Sequence, residues 1–145
     1  MQAALVCPHC RTQLSCDLPH EGWLDGTCLG CKKAFRTLLT RIRAKRSRGN
    51  GWGRAYDVRV KHNGQEQLLQ FAAPTPGDFE LRSSDRAAFQ YVGEELHVVQ
   101  NLTINKYLVV KRPSNWLVAV IVLAVIAGVL FAIFRAAFWV GPRLP

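Results

Sequence analysis

The stretch CPHCRTQLSCDLPHEGWLDGTCLGC, residues 7–31, contains two Cys-x2-Cys pairs that are separated by seventeen residues. Two thiolates with a two-residue spacer can bind one ion from a tight turn, and two such turns supply the four sulfur ligands of a structural zinc site. We therefore predict one structural Zn2+ bound by Cys7, Cys10, Cys28 and Cys31. Disulfide bonds are the alternative, which is disfavoured in a cytoplasmic chain with five cysteines.

This pattern resembles the zinc ribbon family over residues 3–40. The resemblance implies two β-hairpins whose cysteine turns, or knuckles, clamp one zinc through the four cysteines named above, with Phe35 at an aromatic position beyond the second knuckle. Arg11 departs from the commonest form, which has glycine after the first knuckle. Cys16, His9 and His20 receive no role, and a closed shell of four thiolates leaves no coordination position for a substrate.

The segment RIRAKRSRGNGWGR, residues 41–54, carries six positive charges and no negative one, within a chain of net charge +9. Its glycines and its charge predict a basic linker. An acidic protein partner, RNA and a solvated hinge are the competing interpretations, of which we favour the protein partner with Trp52 as an aromatic anchor. The candidate residues for binding a partner or polyanion are Arg41, Arg43, Lys45, Arg46, Arg48, Trp52 and Arg54.

Residues 55–112 predict a small β domain. AYDVRVK, residues 55–61, alternates apolar and polar side chains, and Asn63-Gly64 is a strong signal for a two-residue hairpin turn. About six short strands predict a small all-β barrel or sandwich, and the region resembles an oligonucleotide/oligosaccharide-binding (OB) barrel. The net charge of residues 55–115 is zero, which argues against a dedicated nucleic-acid groove.

The C-terminal segment, residues 113–145, includes WLVAVIVLAVIAGVLFAIF, nineteen residues from Trp116 to Phe134 without a charged side chain. This run predicts a single transmembrane helix over about residues 115–140, on a tail-anchored membrane protein whose N-terminal domains are cytoplasmic. A stripe of small residues at four-residue intervals predicts packing against another membrane helix. Its members are Ala124, Gly128, Ala132 and Ala136.

Together these segments predict a small multi-domain protein, with a zinc ribbon at residues 1–40, a basic linker at 41–54, a β domain at 55–112 and the membrane anchor. No catalytic constellation or phosphate-binding glycine loop is recognisable, so we do not expect an enzyme. The predicted function is a non-catalytic, membrane-anchored adaptor or accessory subunit. Its zinc ribbon, basic linker and β domain are expected to bind a protein partner, which we expect to be a membrane complex. The alternative is a membrane tether for RNA or for a ribosome-like machine that contains nucleic acid.

Overall fold

A computed structural model describes the backbone of residues 2–19, 21–110 and 116–139, and the side chains of residues 4–19, 21–49, 51–110 and 120–133. The chain divides into two compact units, Met1–Arg112 and Pro113–Pro145. The first unit contains all the described strands, and the second contains the helix. The predicted boundaries at residues 40 and 54 do not separate compact units.

The first unit consists of nine described β-strands. The strands are β1 (Gln2–Val6), β2 (Gln13–Asp17), β3 (Gly22–Thr27), β4 (Ala34–Asn50), β5 (Gly53–His62), β6 (Gln65–Ala73), β7 (Arg86–Val92), β8 (Glu95–Asn101) and β9 (Lys106–Val109). Strands β1 and β2 form a separate hairpin, and the other strands form one antiparallel sheet in the order β6-β5-β4-β7-β8-β9, with β3 also paired to β4. The hairpin turn predicted at Asn63-Gly64 is confirmed, because β5 ends at His62 and β6 begins at Gln65.

Strand β4 is seventeen residues long and holds the sheet together. Its first part pairs with β3, from Ala34 opposite Thr27 to Leu39 opposite Gly22. Its second part pairs with β5, from Arg41 opposite Lys61 to Asn50 opposite Gly53, and a β-bulge between Ile42 and Ala44 shifts the register within this ladder. The basic segment therefore lies in β4, in the turn after it and at the start of β5, where the sequence had suggested a linker.

The two faces of β4 contribute to different apolar clusters. Leu38 and Ile42 are buried in the main core, which also contains Tyr56 and Phe89. Leu39, the neighbour of Leu38, is on the opposite face and packs in a second cluster with Leu5 of β1. Because side chains alternate along a strand, the sheet has a core on each side at this point.

The β1–β2 hairpin is fixed to the sheet by one buried side chain, Gln100 of β8. Its Oε1 accepts a hydrogen bond from the Val6 N–H at 3.1 Å, and its Nε2 donates to the Ala4 carbonyl at 2.7 Å. Gln100 thus satisfies backbone groups along the edge of β1 that faces away from β2. This edge of the hairpin is closed.

The described strands do not form a closed barrel. The order of the main sheet has two ends, β6 and β9, and no ladder among the described residues joins them. The middle of the chain is β-rich, as expected, but it shares β4 with the predicted ribbon. The sequence pattern could not reveal this sharing, since a basic strand and a basic linker have similar compositions.

The helix α1 (Trp116–Trp139) is the one described helix, and its described side chains, residues 120–133, are exposed. Among the described residues, no helix is both long enough and apolar enough to cross a membrane. This finding contradicts the predicted transmembrane helix, and with it the membrane partner, the tail anchor and the single-pass location.

Candidate metal centre

Two equivalent turns carry the four cysteines. The Arg11 N–H donates to the Cys7 carbonyl at 2.9 Å, and the Lys32 N–H donates to the Cys28 carbonyl at 2.8 Å. Arg11 and Lys32 have φ angles of 63° and 60°, the left-handed conformation that glycine adopts most easily. The departure from glycine at Arg11 therefore leaves the geometry of the first turn the same as that of the second.

The turns bring the four sulfur atoms into one cluster. The Sγ atoms of Cys7, Cys10, Cys28 and Cys31 all lie within 4.8 Å of one another. The Cys7–Cys31 distance is 3.8 Å and the Cys10–Cys28 distance is 3.6 Å. A tetrahedral ion with metal–sulfur bonds of about 2.3 Å requires sulfurs about 3.8 Å apart. The four cysteines could therefore hold one metal ion.

The pKa values of the two thiols in the first turn are shifted in opposite directions. Desolvation by burial raises the pKa of Cys7 to about 11. Hydrogen bonding with the Thr12 hydroxyl, 3.2 Å from the Cys10 sulfur, and then with the Thr12 backbone lowers the pKa of the exposed Cys10 to about 6. Metal ligands are thiolates, so the low pKa of Cys10 favours its binding form at neutral pH, whereas Cys7 must release its proton to solvent when an ion binds.

The centre lies over a small apolar cluster. Cys7 and Cys28 are buried against Phe35, with Leu14 and Cys31 packed beside them. Because this cluster contains so few apolar side chains, a bound ion would supply much of the stability of the knuckles.

Cys16 and His9 are outside the four-cysteine cluster. Cys16 lies in β2 and packs near Leu5, where burial raises the pKa of its thiol. His9 is within the first knuckle, and its Nε2 forms a hydrogen bond with the Ala34 carbonyl at 3.1 Å. His20 lies outside the described residues.

The predicted partner-binding residues have different environments. Lys45 points toward the interior, where its Nζ is 2.8 Å from Asp78 Oδ2 and 2.9 Å from the Phe79 carbonyl. Arg54 donates to the Pro76 carbonyl and to Ser47, and Arg41 is 3.6 Å from Glu21. By contrast, Arg43, Arg46 and Arg48 are exposed, and Trp52 in the β4–β5 turn is 86% exposed. Lys45 and Arg54 are therefore half-buried, whereas the other candidates, including the ion-paired Arg41, are exposed.

The predicted helix-packing residues Ala124, Gly128 and Ala132 are exposed on α1, and the side chain of Ala136 is outside the described set.

The sequence analysis missed two residues that contribute to the metal centre or to the hairpin that carries its first turn. Thr12, two positions after Cys10, could have been suspected as a partner of that thiol from its spacing alone. Gln100 gave no signal, because it is far from β1 in the sequence.

Comparison with known proteins gives no match, since no family model fits the chain and no curated protein or solved structure is significantly similar to it. The description of this protein as a β-rich chain with a four-cysteine candidate metal site therefore rests on its own structure.

Proposed function

We propose that this protein is a non-catalytic adaptor or accessory subunit, stabilised by a structural zinc, that binds an acidic surface of a protein partner. The observation that carries the proposal is an exposed, basic face on the sheet at β4 and β5. The basic face is defined by the outward side chains of Arg46, Arg48, Arg59 and Lys61.

The register of the sheet supports this grouping. One side of the sheet carries Ala44, Arg46 and Arg48, which are every second residue of β4. Arg59 of β5 lies directly opposite Ala44. Lys61 is two residues beyond Arg59, so it shares the same side of β5. Within the described residues, these four basic side chains form no ion pair, so their charges remain available to a partner.

Two carboxylates lie among these side chains, and one of them is the exposed Glu66, which is opposite Lys61 across the β5–β6 ladder. Asp57 is opposite Arg46 across the ladder, and its Oδ1 accepts a hydrogen bond from Gln70 at 2.9 Å. Two acidic groups among four basic ones leave the face with a net positive charge. Trp52 at the end of the same two strands adds an exposed aromatic surface, and aromatic and arginine side chains are enriched at the centres of protein interfaces.

Zinc is the proposed occupant of the cysteine centre. Four sulfur ligands at tetrahedral spacing suit Zn2+, and a shell completed by protein ligands has no open position for a reacting water or substrate. A structural role fits the proposal, because the ion would order the turns without taking part in chemistry. Metal analysis of the purified chain, with one zinc expected per chain, tests this assignment.

A double variant tests the basic face. We expect Arg46→Ala with Arg48→Ala to reduce partner recovery by about tenfold or more in affinity purification from the native source at low salt. This difference from the wild type should shrink as the salt concentration rises, because salt screens the arginine contacts that the variant lacks. The matched control is Arg82→Ala with Lys106→Ala, which removes two charges that pair with Glu80 elsewhere on the surface. Zinc content should be unchanged in both variants.

Nuclease treatment distinguishes the protein partner from the nucleic-acid alternative. Partner proteins that remain bound after nuclease treatment, and that are lost only in the Arg46/Arg48 variant, support the proposal. Recovered material that disappears with nuclease would contradict it and would favour an RNA tether, since arginines on an exposed sheet also suit phosphates. Equal recovery with both double variants would exclude the basic face as a binding surface.

A further inference from the structure

Two strand edges line one cleft between the β1–β2 hairpin and the main sheet. The cleft has a volume of about 580 Å3, and its lining includes all of β2 and most of β3, from Leu24 to Thr27. A volume in this range is typical of ligand-binding clefts. Among the described residues, β2 forms a ladder only with β1, and β3 only with β4.

The backbone of β2 points hydrogen-bonding groups into this cleft. Opposed residues of an antiparallel ladder alternate between pairs that bond each other and pairs that point their N–H and C=O groups outward. The Val6 N–H and the Ala4 C=O bind Gln100, on the side away from β2. Their opposite residues, Gln13 and Ser15, therefore point the same groups away from β1. Both residues line the cleft.

The backbone of β3 does the same from the other strand. The Cys28 N–H donates to the Lys33 carbonyl at 3.0 Å, so this pair is a bonded rung next to the β3–β4 ladder. By alternation, Thr27 and Asp25 belong to rungs whose N–H and C=O groups point away from β4. These two residues also line the cleft, so both strands present open edges to the same space.

The side chains around the cleft define what could fill it. Leu5, Leu14, Leu24 and Phe35 supply apolar surface that is buried or half-buried. Two exposed carboxylates, Asp17 and Asp25, also line the cleft. Asp25 accepts a hydrogen bond from Arg36 at 3.0 Å, and this ion pair partly neutralises its charge. Asp17, by contrast, is in no ion pair among the described residues.

We propose that this cleft binds an extended segment of a partner protein, which pairs its main chain with the open edges of β2 and β3. Open strand edges are templates for an added strand, and pockets for alternate side chains select its sequence. The apolar surface selects apolar residues at alternate positions of the segment, and Asp17 selects a lysine or arginine between them. This site shares no residue with the basic face, so either surface can fail a test without the other.

The test begins with selection from a phage-displayed library of random nonapeptides on the zinc-loaded full chain. We expect enriched sequences with apolar residues at alternate positions and at least one lysine or arginine. The most enriched peptide is then synthesised for affinity measurements and for hydrogen exchange. Binding should slow exchange of the Ser15, Asp25 and Thr27 amides, whereas the amides at the exposed β7–β8 turn should not change.

Two substitutions in β2 give matched comparisons. Ser15→Pro removes the N–H that points into the cleft, and proline is tolerated on a strand edge at such a position. We expect it to weaken the peptide at least tenfold, whereas Ser15→Ala, which keeps the N–H, should bind as the wild type does. Asp17→Lys should also weaken the peptide at least tenfold, and Glu94→Lys, the same charge change in the β7–β8 turn, should have little effect.

Several results would overturn the inference. These are the absence of enriched peptides, enriched peptides without the alternating pattern, and equal affinity for Asp17→Lys and Glu94→Lys. Dimers of the wild-type chain that Asp17→Lys dissociates would show that a second copy occupies the cleft and would equally exclude the proposed partner segment. If Ser15→Pro does not fold, as judged from its zinc content, the Asp17 comparison still decides the question.

Discussion

At the scale of single residues, the metal centre consists of the cysteine sulfurs that the two turns bring together. Cys28 is buried within the cluster, while Cys16 lies in β2 outside it. A cysteine that only fills space and a cysteine that binds an ion respond differently to replacement by serine, because serine keeps the size but not the thiolate.

We expect Cys28→Ser to lower the affinity for zinc by more than about a hundredfold, since even the loss of a residue outside the ligand shell costs about 10- to 100-fold. Hydrogen exchange should become fast at the knuckles while β5–β9 stay protected. The measurement is zinc content after dialysis, together with exchange by mass spectrometry. Cys16→Ser is the control and should keep one zinc per chain; full zinc retention by Cys28→Ser would refute the four-cysteine assignment.

At the scale of elements, the attachment of the β1–β2 hairpin rests on Gln100. Its fully buried side chain binds two backbone groups of β1. Gln90 of β7 is also fully buried, but neither polar atom of its side chain has a hydrogen-bond partner among the described residues. The two glutamines therefore offer a direct comparison of a satisfied and an unsatisfied buried amide.

We expect Gln100→Leu to lower the free energy of unfolding by about 2 to 4 kcal/mol, because it leaves the Val6 N–H and the Ala4 carbonyl without their partner. Gln90→Leu should change it by less than about 1 kcal/mol or increase it, because leucine removes a polar group that has no partner. Urea unfolding of both variants measures the difference. A Gln90→Leu variant that is destabilised as much as Gln100→Leu would contradict this account of the hairpin attachment.

At the scale of the whole molecule, Met1–Arg112 is a compact unit that contains the cysteine cluster and both apolar cores. We expect a chain that ends at Arg112 to fold with one zinc and to melt within about 3 °C of the full chain, which corresponds to a change in stability below about 0.5 kcal/mol. Thermal unfolding and metal analysis measure this. A fragment that lost its zinc or its cooperative melting would show that residues 113–145 are needed for the fold.

The sequence predicted local features better than it predicted how they combine. The cysteine spacing and the Asn63-Gly64 turn are local signals, and the structure contains the corresponding sulfur cluster and hairpin. The contact of Gln100 with β1 joins residues that are more than ninety positions apart, and no sequence pattern announces it. The apolar run near the C-terminus predicted a membrane span that the described helix does not support. The composition of a segment indicates its local structural preference, but the structure that it adopts also depends on the residues that it packs against.

The length of β4 also affects how this protein could be taken apart. A cut after residue 40 would divide one continuous strand and would leave Leu38, which is fully buried, without Ile42 and the core around it. Anyone who wished to transplant the cysteine knuckles into another chain would therefore have to carry β4 and its neighbours with them. The cysteine turns are therefore not a separable module, because β4 belongs both to them and to the rest of the sheet.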